Sequence, residues 1–190
     1  MKEIFILGGP NGAGKTTAAE VLLPQELSLT FFLNADEIVR QLSPGDFDLT
    51  ELRAGKLMLR RMRELIRNDQ SFAFETTCSG KSYLRTLREC RQMGWTVSLL
   101  FLWLPSAEEC IRRVRRRVLA GGHSIPENVI RRRYEAGVRN MCDLYLPLAD
   151  NVQVYDNTER QQRLVAEKNR SGQLVIFDKM TWSKICQVAL

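Results

Sequence analysis

Gly9-Pro10-Asn11-Gly12-Ala13-Gly14-Lys15-Thr16 fills every fixed position of the phosphate-binding pattern G-x-x-x-x-G-K-[ST]. The chemistry accounts for the residue types. Glycines let successive backbone N–H groups turn inward around phosphate oxygens, and a helix that starts here adds the partial positive charge of its N-terminus. Lys15 is expected to reach the β- and γ-phosphates, and the Thr16 hydroxyl to ligate Mg²⁺. Gly9, Pro10, Asn11, Gly12, Ala13, Gly14 and Thr17 complete the expected contact with a nucleoside triphosphate, ATP.

Two carboxylates follow apolar runs. Asp36 comes after Leu29-Thr30-Phe31-Phe32-Leu33, and Glu75 after Ser71-Phe72-Ala73-Phe74. In a parallel sheet, ligands collect at the carboxyl ends of strands, so both are candidates for the reacting site. Asp36 is expected to accept a proton from an attacking hydroxyl; its alternative role is to stabilise the first turn of a helix. Glu75 is expected to bind the acceptor's hydroxyls or to hold the Mg²⁺ shell through water. No Walker B strand of the motor-ATPase kind is read in the chain, which argues against a mechanochemical ATPase.

The cationic half comes from arginines. Arg112, Arg113, Arg115, Arg116 and Arg117 form one cluster and Arg131, Arg132 and Arg133 another, on either side of Gly121-Gly122. Arg113 and Arg117, spaced i, i+4, share a helix face and are expected to neutralise charge on the transferred phosphoryl group, with Arg132 on the acceptor side. Two arginine helices around a glycine break, over about residues 106–140, read as a lid that closes and excludes water. The alternative is a solvated basic face. His123 in the break is expected to make a local hydrogen bond, and Tyr155-Asp156-Asn157 to border the adenine. Cys78, which has no evident base partner, is a bystander.

These groups need a scaffold, and the pattern supplies one. Ile4-Phe5-Ile6-Leu7 is an apolar strand before the loop, and Thr17–Leu23 a helix stopping at Pro24. Helices are expected over 50–68, 82–93, 106–119 and 124–142, the last two opened by the capping boxes Ser106–Glu109 and Ser124–Glu127; Asn34–Glu37 has the same spacing. Strands are expected at 71–74, 96–103 and 152–155, then a hairpin over 164–177 turning at Ser171-Gly172 and a closing helix. Alternating strands and helices imply an α/β, three-layer P-loop NTPase fold, a mostly parallel sheet between helices, with an arginine lid and a C-terminal hairpin. With no repeat or composition shift, residues 1–190 read as one domain.

Composition sets the outer bounds. The 190 residues are 44% hydrophobic and 26% charged, with a net charge of +6, as in ordinary globular proteins. A strand starting so near Met1 leaves no room for a cleavable signal, and no apolar run nears the roughly 20 residues that span a bilayer. The five cysteines show no metal-ligand spacing and fit reduced thiols in the cytoplasm; no membrane partner is expected. The basic balance raises the question of nucleic acid, but local arginines that handle phosphate explain it without a polynucleotide.

The P-loop, Asn34-Ala35-Asp36, Phe74-Glu75-Thr76-Thr77 and Gly121-Gly122-His123 together resemble the zeta-toxin-like family of P-loop kinases, over the chain up to about Asn157. The likeness is closest to its compact bacterial branch, often labelled predicted ABC-type ATPase. For the zeta toxins proper, the resemblance implies ATP-dependent phosphorylation of the 3′-hydroxyl of the sugar in UDP-N-acetylglucosamine. It also implies Asp36 as general base, Glu75 and Thr77 on the acceptor, and an antitoxin protein as a partner. The lid segment differs from theirs in length and composition. Two other readings stay open: a nucleic-acid 5′-hydroxyl kinase, and a non-catalytic module whose nucleotide gates a protein contact.

Overall fold

Thr96–Trp103 holds eight consecutive buried residues, and only a strand covered on both faces accommodates such a run. The computed structural model describes residues 2–22, 31–35, 38, 47–122, 124–159 and 161–189. In it this segment is strand β4, flanked by β1 (Glu3–Gly8) and β5 (Asn151–Asp156). With β2 (Phe32–Leu33), β3 (Phe72–Thr76), β6 (Arg163–Lys168) and β7 (Leu174–Ile176), they form a seven-stranded sheet in the order β2-β3-β1-β4-β5-β6-β7. The strands from β2 to β5 run parallel, while β6 and β7 form the antiparallel hairpin expected near the C-terminus.

Helices α1 (Lys15–Leu22), α2 (Phe47–Arg67), α3 (Leu84–Gln92), α4 (Ala107–Leu119), α5 (Glu127–Asn140), α6 (Leu146–Leu148) and α7 (Lys179–Ala189) complete the described structure. The core joins Ile4, Ile6, Phe72, Phe74, Leu99 and Phe101 of the sheet to Met58 and Met62 of α2, Leu87 of α3 and Val138 of α5. Each fully buried side chain of this size contributes about 1.5–3 kcal/mol. Because Gly8 pairs with both Thr76 and Phe101, the loop after β1 and the residues after β3 emerge side by side at one edge.

The arginine helices pack against the core. Cys110, Ile111 and Val114 of α4 and Val129, Ile130, Tyr134 and Val138 of α5 are buried, and the Tyr134 hydroxyl donates to the Leu104 carbonyl at 2.9 Å. Gly121 and Gly122 close α4: the Gly121 N–H reaches Val118 O and the Gly122 N–H reaches Arg117 O, each at 2.9 Å. This paired closure needs the left-handed backbone of Gly121, φ +86°. The glycine pair thus caps α4.

The helix expected to reach Cys142 is α-helical only to Asn140 and then widens into a π turn over Met141–Tyr145. Its cap differs as well. Pro126 occupies the N-cap and has no polar side chain to bond there, and the Glu127 carboxylate pairs with Arg115 of α4. At Ser106 the expected cap forms, its Oγ accepting from Glu109 N at 3.2 Å. Leu29 and Thr30, Pro24, Glu37 and His123 lie outside the described residues.

Candidate functional site

β1 ends at Gly8, and the chain turns at once into the loop 9–14 before α1. Gly9 has φ +142°, and a Cβ there would lie 2.4 Å from the Leu102 carbonyl oxygen, so no other residue lets the loop settle against β4. Lys15 folds back over the loop, buried, and donates to Pro10 O at 2.9 Å. Thr16 and Thr17 are exposed at the mouth.

Glu75, at the end of β3 and in register with Leu7, is the hub of the site. Its Oε1 is 3.6 Å from Lys15 Nζ. Its Oε2 accepts from Thr16 Oγ1 and from Asn34 Nδ2, each at 3.1 Å. A hydroxyl and a carboxylate this close are hard oxygen donors of the kind Mg²⁺ takes alongside phosphate oxygens and water. Among the described residues, no group of three His, Cys, Asp or Glu side chains could hold a metal, so an ion here would depend on those phosphate oxygens. Phe72-Ala73-Phe74-Glu75 thus puts an acid beside the Thr16 hydroxyl of the loop.

Three hollows meet at the loop. A pocket of about 180 Å³ is walled by Asn11, Lys15, Thr16, Glu75, Arg113 and Arg117 among others. On one side opens a cleft of about 800 Å³ that includes Gly14, Thr17, Arg112, Asn157, Thr158 and Gln161. On the other is a cleft of about 310 Å³, where Asn11, Lys15 and Glu75 face Asn34, Thr77 and Arg133. Lys15 and Glu75 therefore stand at the junction of the loop pocket and the smaller cleft.

The predicted residues divide accordingly. Lys15, Thr16, Glu75, Arg113 and Arg117 come together at the loop. Thr77 lines the smaller cleft, its hydroxyl 2.8 Å from that of Ser79. Asp36 lies outside the described residues, although Asn34 and Ala35 before it line that cleft. Arg132 is exposed, and its neighbour Arg133 is the one that faces the cleft; one residue along a helix turns the side chain by about 100°. Arg113 is not poised over the loop alone: its Nε donates to Glu109 Oε1 at 2.7 Å and its Nη2 to Thr158 O at 2.6 Å. It ties α4 to the segment 157–159.

In that segment Asn157, expected with Tyr155 and Asp156 to border the adenine, lines the larger cleft and donates through Nδ2 to Ala13 O at 2.6 Å. Buried Asp156 anchors it, with Oδ1 accepting from Thr158 N at 2.9 Å and Oδ2 from Arg163 Nη2 at 2.8 Å. Asp followed by a hydroxyl residue two positions on is an Asx-turn signal, so the feature was readable. Cys78 is fully buried, and burial pushes its thiol up to about 12, which leaves it without nucleophilic character at neutral pH.

Glu109 offers a pH test. Burial favours its neutral form, but hydrogen bonds from Arg112 and Arg113 prevail and hold the carboxyl below its ordinary value. Stability from a depressed carboxyl is present above the unfolded value of 4.5 and is lost as pH falls through the lower folded value. Glu109→Gln is expected to cost on the order of 1 kcal/mol at pH 7. The gap to wild type should close in strong acid, as urea midpoints at pH 7 and in a descending acid series will show.

A glycine loop joining the first strand to a helix, set in a mostly parallel sheet between helices, defines a P-loop NTPase fold. The family model described as AAA domain matches residues 4–144, and the chain belongs to that family. An uncharacterized protein of Haemophilus influenzae is 28% identical over 133 residues, which cover 70% of this chain and 92% of that one. Among solved structures, a chain of the AvrRxo1-ORF1:-ORF2 complex with ATP is similar with a TM-score of 0.77 at 17% identity, over 100% of this chain and 65% of that one. A chain of the PezAT chromosomal toxin-antitoxin system of Streptococcus pneumoniae is similar with a TM-score of 0.58 at 15% identity, over 99% and 84%. At these identities the likeness is one of fold. The chain spans 65% of the length of its AvrRxo1-complex counterpart.

Proposed function

We propose that the chain is a Mg·ATP-dependent kinase that transfers the γ-phosphate to a hydroxyl of a small acceptor. One observation carries the reading: a large cleft and a small one open on opposite sides of the P-loop pocket, and the small one meets that pocket at Lys15 and Glu75. A nucleoside in the large cleft, between the segment 157–159 and α4, sends its phosphates past Gly14 to Lys15. The acceptor then lies beside Thr77 and Arg133, with its hydroxyl facing the γ-phosphorus. A motor or switch has no need of this second cleft.

In the transfer the hydroxyl oxygen attacks the γ-phosphorus, the bond to the β–γ bridging oxygen breaks, and ADP leaves with that bond's electrons. Asp36, two residues after the cleft-lining Asn34, takes the hydroxyl proton. Lys15 and Arg117 face the phosphoryl group, and Thr16 and Glu75 hold the metal side. Bound Mg²⁺ supplies neutralisation of the β- and γ-phosphate charge.

The zeta-toxin-like resemblance favours a sugar nucleotide such as UDP-N-acetylglucosamine, for which Arg133 offers a cation to the diphosphate. The neighbours' descriptions as an ORF1:ORF2 complex with ATP and a toxin-antitoxin system support an antitoxin-like protein partner. Reliance on ATP fits the cytoplasm, and among the described residues no helix is long and apolar enough to cross a membrane.

The test is incubation with γ-labelled ATP and a panel of UDP-sugars, small sugars and oligonucleotides. Label is expected on a UDP-sugar and to fall about 10²–10⁴-fold in Asp36→Asn, the range for a general base. Label on oligonucleotide ends would replace the reading with a nucleic-acid kinase. ATP binding with no acceptor labelled would replace it with a nucleotide-gated module.

A further inference from the structure

The residues that follow Glu75 are held in an unfavourable shape by groups from a distant part of the chain. Cys78 has φ +58°, a left-handed backbone that a residue with a side chain adopts at a cost and keeps only where its surroundings hold it. The holding groups lie at the end of α5. Asn140, buried, donates through Nδ2 to Cys78 O at 2.9 Å and to Ser79 O at 3.0 Å. The Tyr145 hydroxyl donates to Gly80 O at 3.1 Å. Above them, Gly137 packs so closely that a Cβ there would sit 2.4 Å from Thr77 O.

Asn140 and Tyr145 are five residues apart. On an α-helix, with 3.6 residues per turn, positions five apart face well away from each other. The π turn Met141–Tyr145, closed by Leu146 N to Met141 O, has an i→i+5 repeat that brings them to one side. The wide turn thus aims two donors at three consecutive carbonyls.

We propose that Asn140 and Tyr145, aligned by the π turn, are positioning residues that clamp the 77–80 loop in its strained form and so set the acceptor cleft. Thr77, Ser79 and Gly80 line that cleft, and neither clamp residue does. The functional half of the proposal rests on the kinase reading above; the mechanical half does not.

Tyr145→Phe removes one donor with almost no change in volume, and Asn140→Ala removes the other. The readout is iodoacetamide labelling of Cys78 in the folded protein, resolved by peptide mass spectrometry. Cys78 is shielded by the loop, and Cys110, also buried with its thiol pushed up to about 12, reports general loosening. Loss of three hydrogen bonds in the double variant is expected to raise the Cys78 rate about 10- to 100-fold with Cys110 unchanged. Equal acceleration of both thiols, or of neither, would overturn the clamp. With whichever acceptor wild type phosphorylates, Tyr145→Phe should raise the acceptor KM several-fold and leave the ATP KM within about twofold. Parallel changes in both would overturn the acceptor role. If wild type labels no acceptor, the kinase reading fails by itself, and the Cys78 rate still decides the clamp.

Discussion

Glu75→Gln is expected to lower phosphoryl transfer on the order of 10²-fold or more and to raise the Mg²⁺ concentration needed for half-maximal rate, with metal-free ATP binding preserved. The argument starts from the bonds. Glu75 Oε2 accepts from Thr16 Oγ1 and Asn34 Nδ2, both at 3.1 Å, while Oε1 faces Lys15 Nζ at 3.6 Å. Glutamine keeps the volume and can keep one acceptor, but it removes the charge and turns an N–H₂ group toward another donor. A neutral amide is a much poorer partner for a magnesium-water shell than a carboxylate. The nucleoside cleft and the loop amides are untouched, so isothermal titration with a non-hydrolysable ATP analogue in EDTA should match wild type. A magnesium titration of rate separates the roles: a shifted midpoint marks the metal side. An unshifted midpoint with a raised acceptor KM would move Glu75 to the acceptor, the other role open to it.

The donor half of the site was legible because its chemistry constrains the backbone. Gly9 cannot carry a side chain against Leu102 O, and Lys15 and Thr16 are fixed positions of the P-loop pattern, so fold and motif share one short string. Glu75 was half legible: an acid after Phe72-Ala73-Phe74 is conspicuous, but only the pairing of β1 with β3 brings it to Thr16 rather than to a substrate alone. The arginines were the least legible. Helical spacing predicts that Arg113 and Arg117 share a face, and both do reach the loop pocket; it cannot tell that Glu109 and Thr158 occupy Arg113. Spacing also cannot separate Arg132 from Arg133 where three arginines run together. The π turn left no local trace either, since Met141–Tyr145 suits an ordinary helix equally well. Its cause is tertiary: the carbonyls of residues 78–80, more than 60 positions earlier, are satisfied by Asn140 and Tyr145, and a buried carbonyl without a donor is costly.

Lys15→Ala is expected to lose about 10³-fold or more in phosphoryl transfer, together with a loss of stability in the resting protein. Lys15 is buried, held by Pro10 O at 2.9 Å and Glu75 at 3.6 Å, so its ammonium is positioned before any phosphate arrives. A pre-placed cation in a partly enclosed site needs no reorganisation as charge shifts toward the β–γ bridge, which is why its removal weighs more on rate than on affinity. Without it, Glu75 keeps its hydrogen bonds from Thr16 and Asn34 but loses its cation, and breaking a buried pair on one side costs about 3–5 kcal/mol at the upper limit. Thermal melting of the nucleotide-free variant should therefore fall. The double variant Lys15→Ala with Glu75→Gln should recover part of that loss, since the uncompensated carboxylate is then gone, yet remain as inactive as the single variant. Recovery of stability without recovery of rate would separate the two roles of this lysine. If Lys15→Ala instead retained activity within tenfold of wild type, the P-loop would not be handling a transferred phosphate, and the kinase reading would fall with it.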